Sequence, residues 1–159
     1  MKKRKIILIT TLLMLFLFGG ALSVWGADEE WYELHEIDEE EEDRLILQEN
    51  LEITPYSRYI LGAQAIMRRP STSVLWMRSE VYCTETMSKI TTTFILQKKS
   101  GSSWTNVGEG TVSVSNSNSM YKSMEATGAS AGTYRCVAKT RVVSKSGYSE
   151  TYSTTSNIV

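Results

Sequence analysis

Gly132-Thr133-Tyr134-Arg135-Cys136-Val137 decides the fold. Strict alternation puts Tyr134 and Cys136 on one side of a β-strand and Arg135 and Val137 on the other. Cys83 is the other cysteine, and it too lies on a run of alternating character, 74–84. On that run Leu75, Met77, Ser79, Val81 and Cys83 share one face, and Trp76, Arg78, Glu80 and Tyr82 share the other.

Working outward, everything from Tyr56 onward is made of short apolar–polar runs separated by turn residues, the pattern of an all-β domain. Seven strands are expected: 59–67, 74–84, 90–98, 104–114, 120–126, 133–143 and 148–156. The fourth is expected to bend or bulge at Gly108 and Gly110. Strand spacing of about a dozen residues suits an antiparallel β-sandwich.

The other end of the chain differs. Lys2, Lys3, Arg4 and Lys5 precede a charge-free apolar stretch, and Val24 and Gly26 suit cleavage before Ala27. Residues 1–26 read as a cleaved signal peptide, with an uncleaved anchor as the rival. Export implies an oxidising compartment, so Cys83 and Cys136 are expected to form a disulfide. Leu, Ile, Val and Phe supply 15 of the 90 residues from Pro70 to Val159, a core thin enough for a covalent tie to matter. Such a loop closure is worth roughly 4 kcal/mol.

Residues 27–54 form an acidic segment centred on Asp38-Glu39-Glu40-Glu41-Glu42-Asp43. Consecutive like charges repel and bury nothing, so the segment is expected to be mostly disordered. Residues 44–53 are open to a short helix, which Pro55 ends. The net charge of −1 hides a division: 27–53 carries thirteen acids against one base, and 54–159 carries twelve bases against five acids. The three regions are therefore 1–26, 27–54 and a domain at 55–159.

Ala131-Gly132-Thr133-Tyr134-Arg135-Cys136 resembles the penultimate-strand motif of immunoglobulin-like domains, D-x-G-x-Y-x-C, with Ser130 in place of the aspartate. The resemblance implies a seven-stranded antiparallel immunoglobulin-like sandwich. Cys83 and Cys136 would be its inter-sheet disulfide and Tyr134 its corner tyrosine. No tryptophan stands on the third strand, where Phe94 or Leu96 takes the space. A narrower resemblance rests on Met87-Ser88-Lys89-Ile90 and on the run from Leu96 through Lys98-Lys99-Ser100-Gly101 to Trp104. These are similar to small exported single-domain proteins of unknown function from Gram-positive bacteria. That implies a secreted or envelope setting and no chemistry.

Catalytic constellations are not found. His35 is the one histidine and sits in the acidic segment, and the acids of the domain are scattered. There is no Cys/His metal spacing, phosphate loop or nucleotide fingerprint, so no cofactor or metal is expected. What remains is a surface. Opposite Tyr134 and Cys136 stand Arg135, Val137, Lys139 and Arg141. The third strand, expected to pair beside them, offers Ile95, Gln97 and Lys99. Trp76, Arg78 and Tyr82 are a second candidate surface.

The reading is a non-enzymatic binding module, secreted or on the cell envelope. Its partner would be an anionic envelope polymer or a protein, not nucleic acid. No integral membrane segment would remain after signal cleavage. The alternative is a secreted toxin or bacteriocin-like effector with the acidic segment as propeptide.

Overall fold

The computed structural model describes residues 30–37 and 57–159. The expected signal peptide, the centre of the acidic segment and the possible helix at 44–53 lie outside the described residues. The chain divides into two compact units, Met1–Glu30 and Trp31–Val159, and every described strand belongs to the second.

That unit is all-β. Its strands are β1 (Tyr32–Ile37), β2 (Ile60–Ser71), β3 (Val74–Ser100), β4 (Ser103–Thr127), β5 (Tyr134–Val143) and β6 (Ser149–Thr155). They form one six-stranded sheet, ordered β1-β4-β3-β5-β6, with β2 on β3. The count differs from the expected seven for a physical reason. Two expected turns, near 85–89 and at 115–118, contain no proline or glycine, so the ladder bends there without breaking. At the bend, residues 83–86 of β3 stand against the single residue 118 of β4. Such a bulge kinks a strand and raises its twist. On β4 the kink falls near Asn116, whose φ is 53°, and Ser117 Oγ closes it by accepting from the Ser119 N–H at 3.2 Å.

Each long strand therefore serves two halves of the sheet. In one half, β3 residues 74–83 pair with β2 and with the end of β4. In the other, β3 residues 87–100 pair with the start of β4 and with β5. Phe94, Leu96 and Tyr134 of one half share a single core with Met67, Leu75 and Met77 of the other. Five methionines (Met67, Met77, Met87, Met120 and Met124) belong to that core. An unbranched thioether fills irregular gaps that few branched residues are available to fill.

β1 comes from the stretch read as the acidic segment. Its pairing with β4 is parallel where Tyr32 meets Gly108 and Glu33 meets Glu109. It then jumps, so that Leu34 to Ile37 stand opposite Ala126, Glu125, Met124 and Ser123. A six-residue strand thus ties the two ends of β4 together. Gly108 permits it: a Cβ there would lie 2.8 Å from the Tyr32 carbonyl oxygen. The bulge is one residue earlier, at Val107, between the pairs Leu96–Gly108 and Gln97–Asn106.

Tyr32 and Tyr134 organise the corner before β5. Tyr134 Oη donates to the Ser130 carbonyl oxygen at 3.2 Å, and Tyr32 Oη accepts the Ser130 N–H at 2.9 Å. Their hydroxyls meet at 3.2 Å. Arg69 donates to the carbonyl oxygens of Ser130 and Gly132 at 2.8 and 3.0 Å, which holds the glycine-containing loop against β2.

The expected disulfide is corrected: Cys83 and Cys136 are both buried and both free. The strand register explains why. Cys83 stands opposite Ile60, whose N–H donates to Glu150 at 3.0 Å. Glu150 stands opposite Val142 of β5. Cys136 is six residues from Val142 on that strand, about 20 Å at a strand's rise. Cα atoms more than about 7 Å apart cannot be bridged without moving backbone. Burial pushes the Cys83 thiol up to about 11, with Glu150 adding to the effect. It pushes Cys136 up to about 12, against a smaller opposing pull from a hydrogen bond with the Ile95 backbone. Both remain protonated at neutral pH.

Candidate binding face

The half of the sheet made by β4, β3, β5 and β6 turns its second face outward. Period-2 alternation along β5 sends Tyr134, Cys136, Ala138, Thr140 and Val142 into the protein. It leaves Arg135, Val137, Lys139 and Arg141 on the other side. β3 pairs with β5 residue for residue, so Gln97 lies beside Arg135, Ile95 beside Val137, Thr93 beside Lys139 and Thr91 beside Arg141. β4 extends the rows with Asn106, Glu109, Thr111 and Ser113. β6 extends the last three with Thr155, Ser153 and Thr151. The face is a lattice of hydroxyls and cations. Thr93 and Thr111 share a hydrogen bond at 3.0 Å, and Arg141 donates to Ser149 Oγ at 3.3 Å.

One end of the lattice is fixed more firmly. The Arg135 guanidinium lies over the Trp104 ring, 4.3 Å from its centroid. Arg135 Nε donates to Gln97 Oε1 at 2.8 Å, and Gln97 Nε2 donates to Asn106 Oδ1 at 2.8 Å. Cross-strand neighbours account for all of it. Asn106 and Arg135 flank Gln97 on its two sides, and Trp104 stands opposite Lys99. The β3–β4 turn, Gly101-Ser102, gives that register. Gly101 takes φ of 60° at the first central position, as a two-residue hairpin turn favours. The Val107 bulge then resets the alternation, so that Trp104 and Asn106 share a face with Glu109 and Thr111.

Of the residues singled out from sequence, Arg135, Gln97, Ile95 and Val137 come together. Lys139 and Arg141 continue the same side of β5 and are exposed. Lys99 lies at the hairpin end opposite Trp104. Ile95 is buried, at 7% exposure, so it supports the face rather than offering contact. Trp104 and Asn106 were missed; the signal for them was the two-residue spacing of the Gly101 turn. The second candidate surface is differently disposed. Trp76 and Arg78 are buried, and Arg78 Nε lies 3.0 Å from Glu80 Oε1.

Carboxylates elsewhere have structural partners. Glu150 accepts from the backbone N–H groups of Tyr59 and Ile60. Glu80 accepts from Gln64 at 2.7 Å. His35 is exposed on β1, opposite Glu125. Among the described residues no three His, Cys, Asp or Glu side chains converge to hold a metal ion.

No protein-family model matches the chain, and no curated protein matches it in sequence. Among solved structures, the chain is similar to the collagen-binding subdomain of the Enterococcus faecalis surface protein ACE, at 7% identity and a TM-score of 0.36. The match spans 64% of this chain and 97% of that one.

Proposed function

We propose that the domain is a non-enzymatic binding module of immunoglobulin-like type, exported to the cell envelope or beyond. Its recognition surface is the outer face of β3, β4 and β5, and its partner is an anionic envelope polymer. The observation that carries this reading is the chain Asn106–Gln97–Arg135–Trp104. An arginine stacked on an indole and held by an amide keeps its charge and remaining N–H donors in place before any ligand arrives. That lowers the ordering cost of binding. Arginine forks suit phosphate and carboxylate, and stacked arginine is weakly hydrated. Lys139 and Arg141 add charge along the same strand, and the threonine and serine rows add hydroxyl donors.

The test is retention of the chain from Ala27 on purified Gram-positive cell walls, before and after the walls are stripped of phosphate polymers. The unaltered chain is expected to bind native walls, to lose most binding on stripped walls, and to be released by salt. The variant Arg135→Glu/Lys139→Glu/Arg141→Glu is expected to lose at least tenfold, and Lys145→Glu, on the β5–β6 turn, to bind as the parent. Equal retention of parent and triple variant would overturn the assignment. The toxin alternative needs the acidic segment removed as a propeptide, yet residues 32–37 of that segment form β1 of the sheet.

A further inference from the structure

Hydrogen-bond polarity decides what the Arg135 end of the outer face can offer a ligand. A guanidinium only donates, so Gln97 must turn its oxygen toward Arg135 Nε, which it meets at 2.8 Å. Gln97 Nε2 is then turned the other way, and it donates to Asn106 Oδ1 at 2.8 Å. Asn106 Nδ2 is the end of this relay and takes no partner among the described residues. Both amide oxygens are used inside the relay. What the three side chains hold out is therefore a set of N–H donors, the Arg135 Nη groups and the Asn106 amide, with Gln97 positioning both.

A site made of donors takes a group that only accepts. Arg135 and Asn106 flank Gln97 from the two neighbouring strands, so the donors approach a ligand from two sides. A carboxylate is planar, and one arginine fork takes both of its oxygens. A phosphate diester is tetrahedral, so its two free oxygens diverge, one toward the fork and one toward the amide. The cations around the relay are stepped to suit a chain of such groups. Lys99, whose N–H donates to the Thr133 carbonyl oxygen at 2.9 Å, stands two residues before the level of Arg135. Lys139 and Arg141 stand four and six residues after it on the same side of β5. At a strand's rise these levels lie about 7, 14 and 20 Å from Arg135, multiples of one step. Phosphates joined through a three-carbon polyol repeat at about that step in an extended chain. At the level without a cation, Val137 and Ile95, β4 places Glu109, an acceptor for a spacer hydroxyl. Nucleic acid would bring the same phosphates but needs aromatic platforms for its bases. Trp104, the one aromatic of these rows, is covered by Arg135.

We infer that Arg135, Gln97 and Asn106 form a subsite for one diester of a polyol phosphate chain, with Lys99, Lys139 and Arg141 beside its other phosphates. Asn106 is the specificity-determining donor. The inference rests on the binding role proposed for this face and names its ligand class. The test is binding of the chain from Ala27 to poly(glycerol phosphate), with poly-glutamate and a single-stranded oligonucleotide as competing chemistries, at one salt concentration. The parent is expected to bind the first at least tenfold more tightly than either other. Asn106→Ala removes one hydrogen bond to an ion and is expected to lose about tenfold. Asn106→Asp still accepts from Gln97 but turns an oxygen toward the ligand, and is expected to lose more. Thr105→Asp adds the same charge at the next residue, on the other side of β4, and is expected to lose threefold or less. Proton–nitrogen correlation spectra report the fold of each variant, and in the parent the Asn106 side-chain amide is expected to shift when the polymer is added. A parent that does not prefer poly(glycerol phosphate), or Asn106 variants that bind it as the parent does, would overturn the subsite. If Arg135→Glu/Lys139→Glu/Arg141→Glu still loses binding to walls in that case, the binding role of the face stands and the subsite alone is lost.

Discussion

Replacing Gly108 by alanine tests the packing of β1, and the sign of the effect discriminates. In an ordinary strand interior, glycine to alanine stabilises by about 0.5–1 kcal/mol, because alanine loses less backbone freedom on folding. Here the added Cβ would sit 2.8 Å from the Tyr32 carbonyl oxygen and 3.4 Å from Leu34 Cδ2. The first neighbour is backbone and cannot rotate aside, so β1 must shift. A full shift gives up the burial of Tyr32, worth up to about 2–3 kcal/mol for a large side chain. It also gives up the Tyr32–Ser130 hydrogen bond, about 1 kcal/mol, and the edge-on contact with Tyr134, about 0.5–1.5 kcal/mol. A partial shift that loses half of this leaves a net destabilisation of about 1.5 kcal/mol after the glycine term. Urea unfolding of the chain from Ala27 measures it, with hydrogen exchange at 31–37 as the local readout. Gly110→Ala is the control. Its Cβ meets the Met124 thioether, a flexible end that can move, and the cost should be smaller. A Gly108→Ala protein as stable as the parent, with β1 equally protected, would refute the account of how β1 is held.

The free, buried cysteines give a second prediction. A reducing agent is expected to leave the melting temperature unchanged, and a thiol reagent should react with neither cysteine until the protein unfolds. The pH dependence follows from the raised thiol values of about 11 and 12, against an ordinary 9.0. Above pH 9 the unfolded chain loses thiol protons that the folded chain keeps, so stability is flat in this respect below pH 9. It then falls between 9 and about 11–12, by at most about 1.4 kcal/mol per pH unit for each thiol. Cys83→Ala/Cys136→Ala should remove that part of the alkaline slope. A third prediction concerns Asn157, whose amide accepts from the Met67 N–H and donates to the Met67 carbonyl oxygen, both at 2.9 Å. Asn157→Ala leaves both groups of a buried residue without that partner and is expected to cost about 2 kcal/mol, read as a lower urea midpoint at unchanged m. Asn157→Asp keeps the acceptor but turns a second oxygen toward the carbonyl, so it should not restore the loss.

Local chemistry made some of the fold legible. Alternation along 134–142 could be read because each inward residue is apolar or small and three of the four outward ones, Arg135, Lys139 and Arg141, are long and charged. The turns at Gly101, Gly128 and Gly147 could be read because the chain takes positive φ there. The bends at 83–86 and 116–118 could not, because they are bulges among serines, threonines and asparagine, where pairing continues. β1 was hidden by its own composition. Glu33 and Glu36 make Tyr32–Ile37 look solvated, and only the approach of a second backbone to Gly108 reveals the strand. A count of Leu, Ile, Val and Phe made the core look too thin to stand without a disulfide, but methionines and tyrosines supply the missing volume. Cysteine number indicated a pair, while register along β5 decides the distance. On the candidate face, Arg135 and Gln97 followed from strand pairing. Trp104 did not, because the bulge at Val107 inverts the alternation between it and the rest of β4.

Two devices, one at each edge, explain how a sheet bent around a methionine-rich core holds its shape. At one edge β1 bridges the two ends of β4, and its Tyr32 hydroxyl reaches the Ser130 loop that Tyr134 also holds. At the other edge the C-terminal stretch seals β2 by side chains. Glu150 takes the N–H groups at 59 and 60, and Asn157 takes both backbone groups of Met67. A carboxylate and an amide thereby occupy edge groups that another chain could otherwise use for pairing, which blunts that edge against association. Removing everything before residue 55 would take away Tyr32 and leave Gly108 and the Ser130 loop without the strand that packs on them.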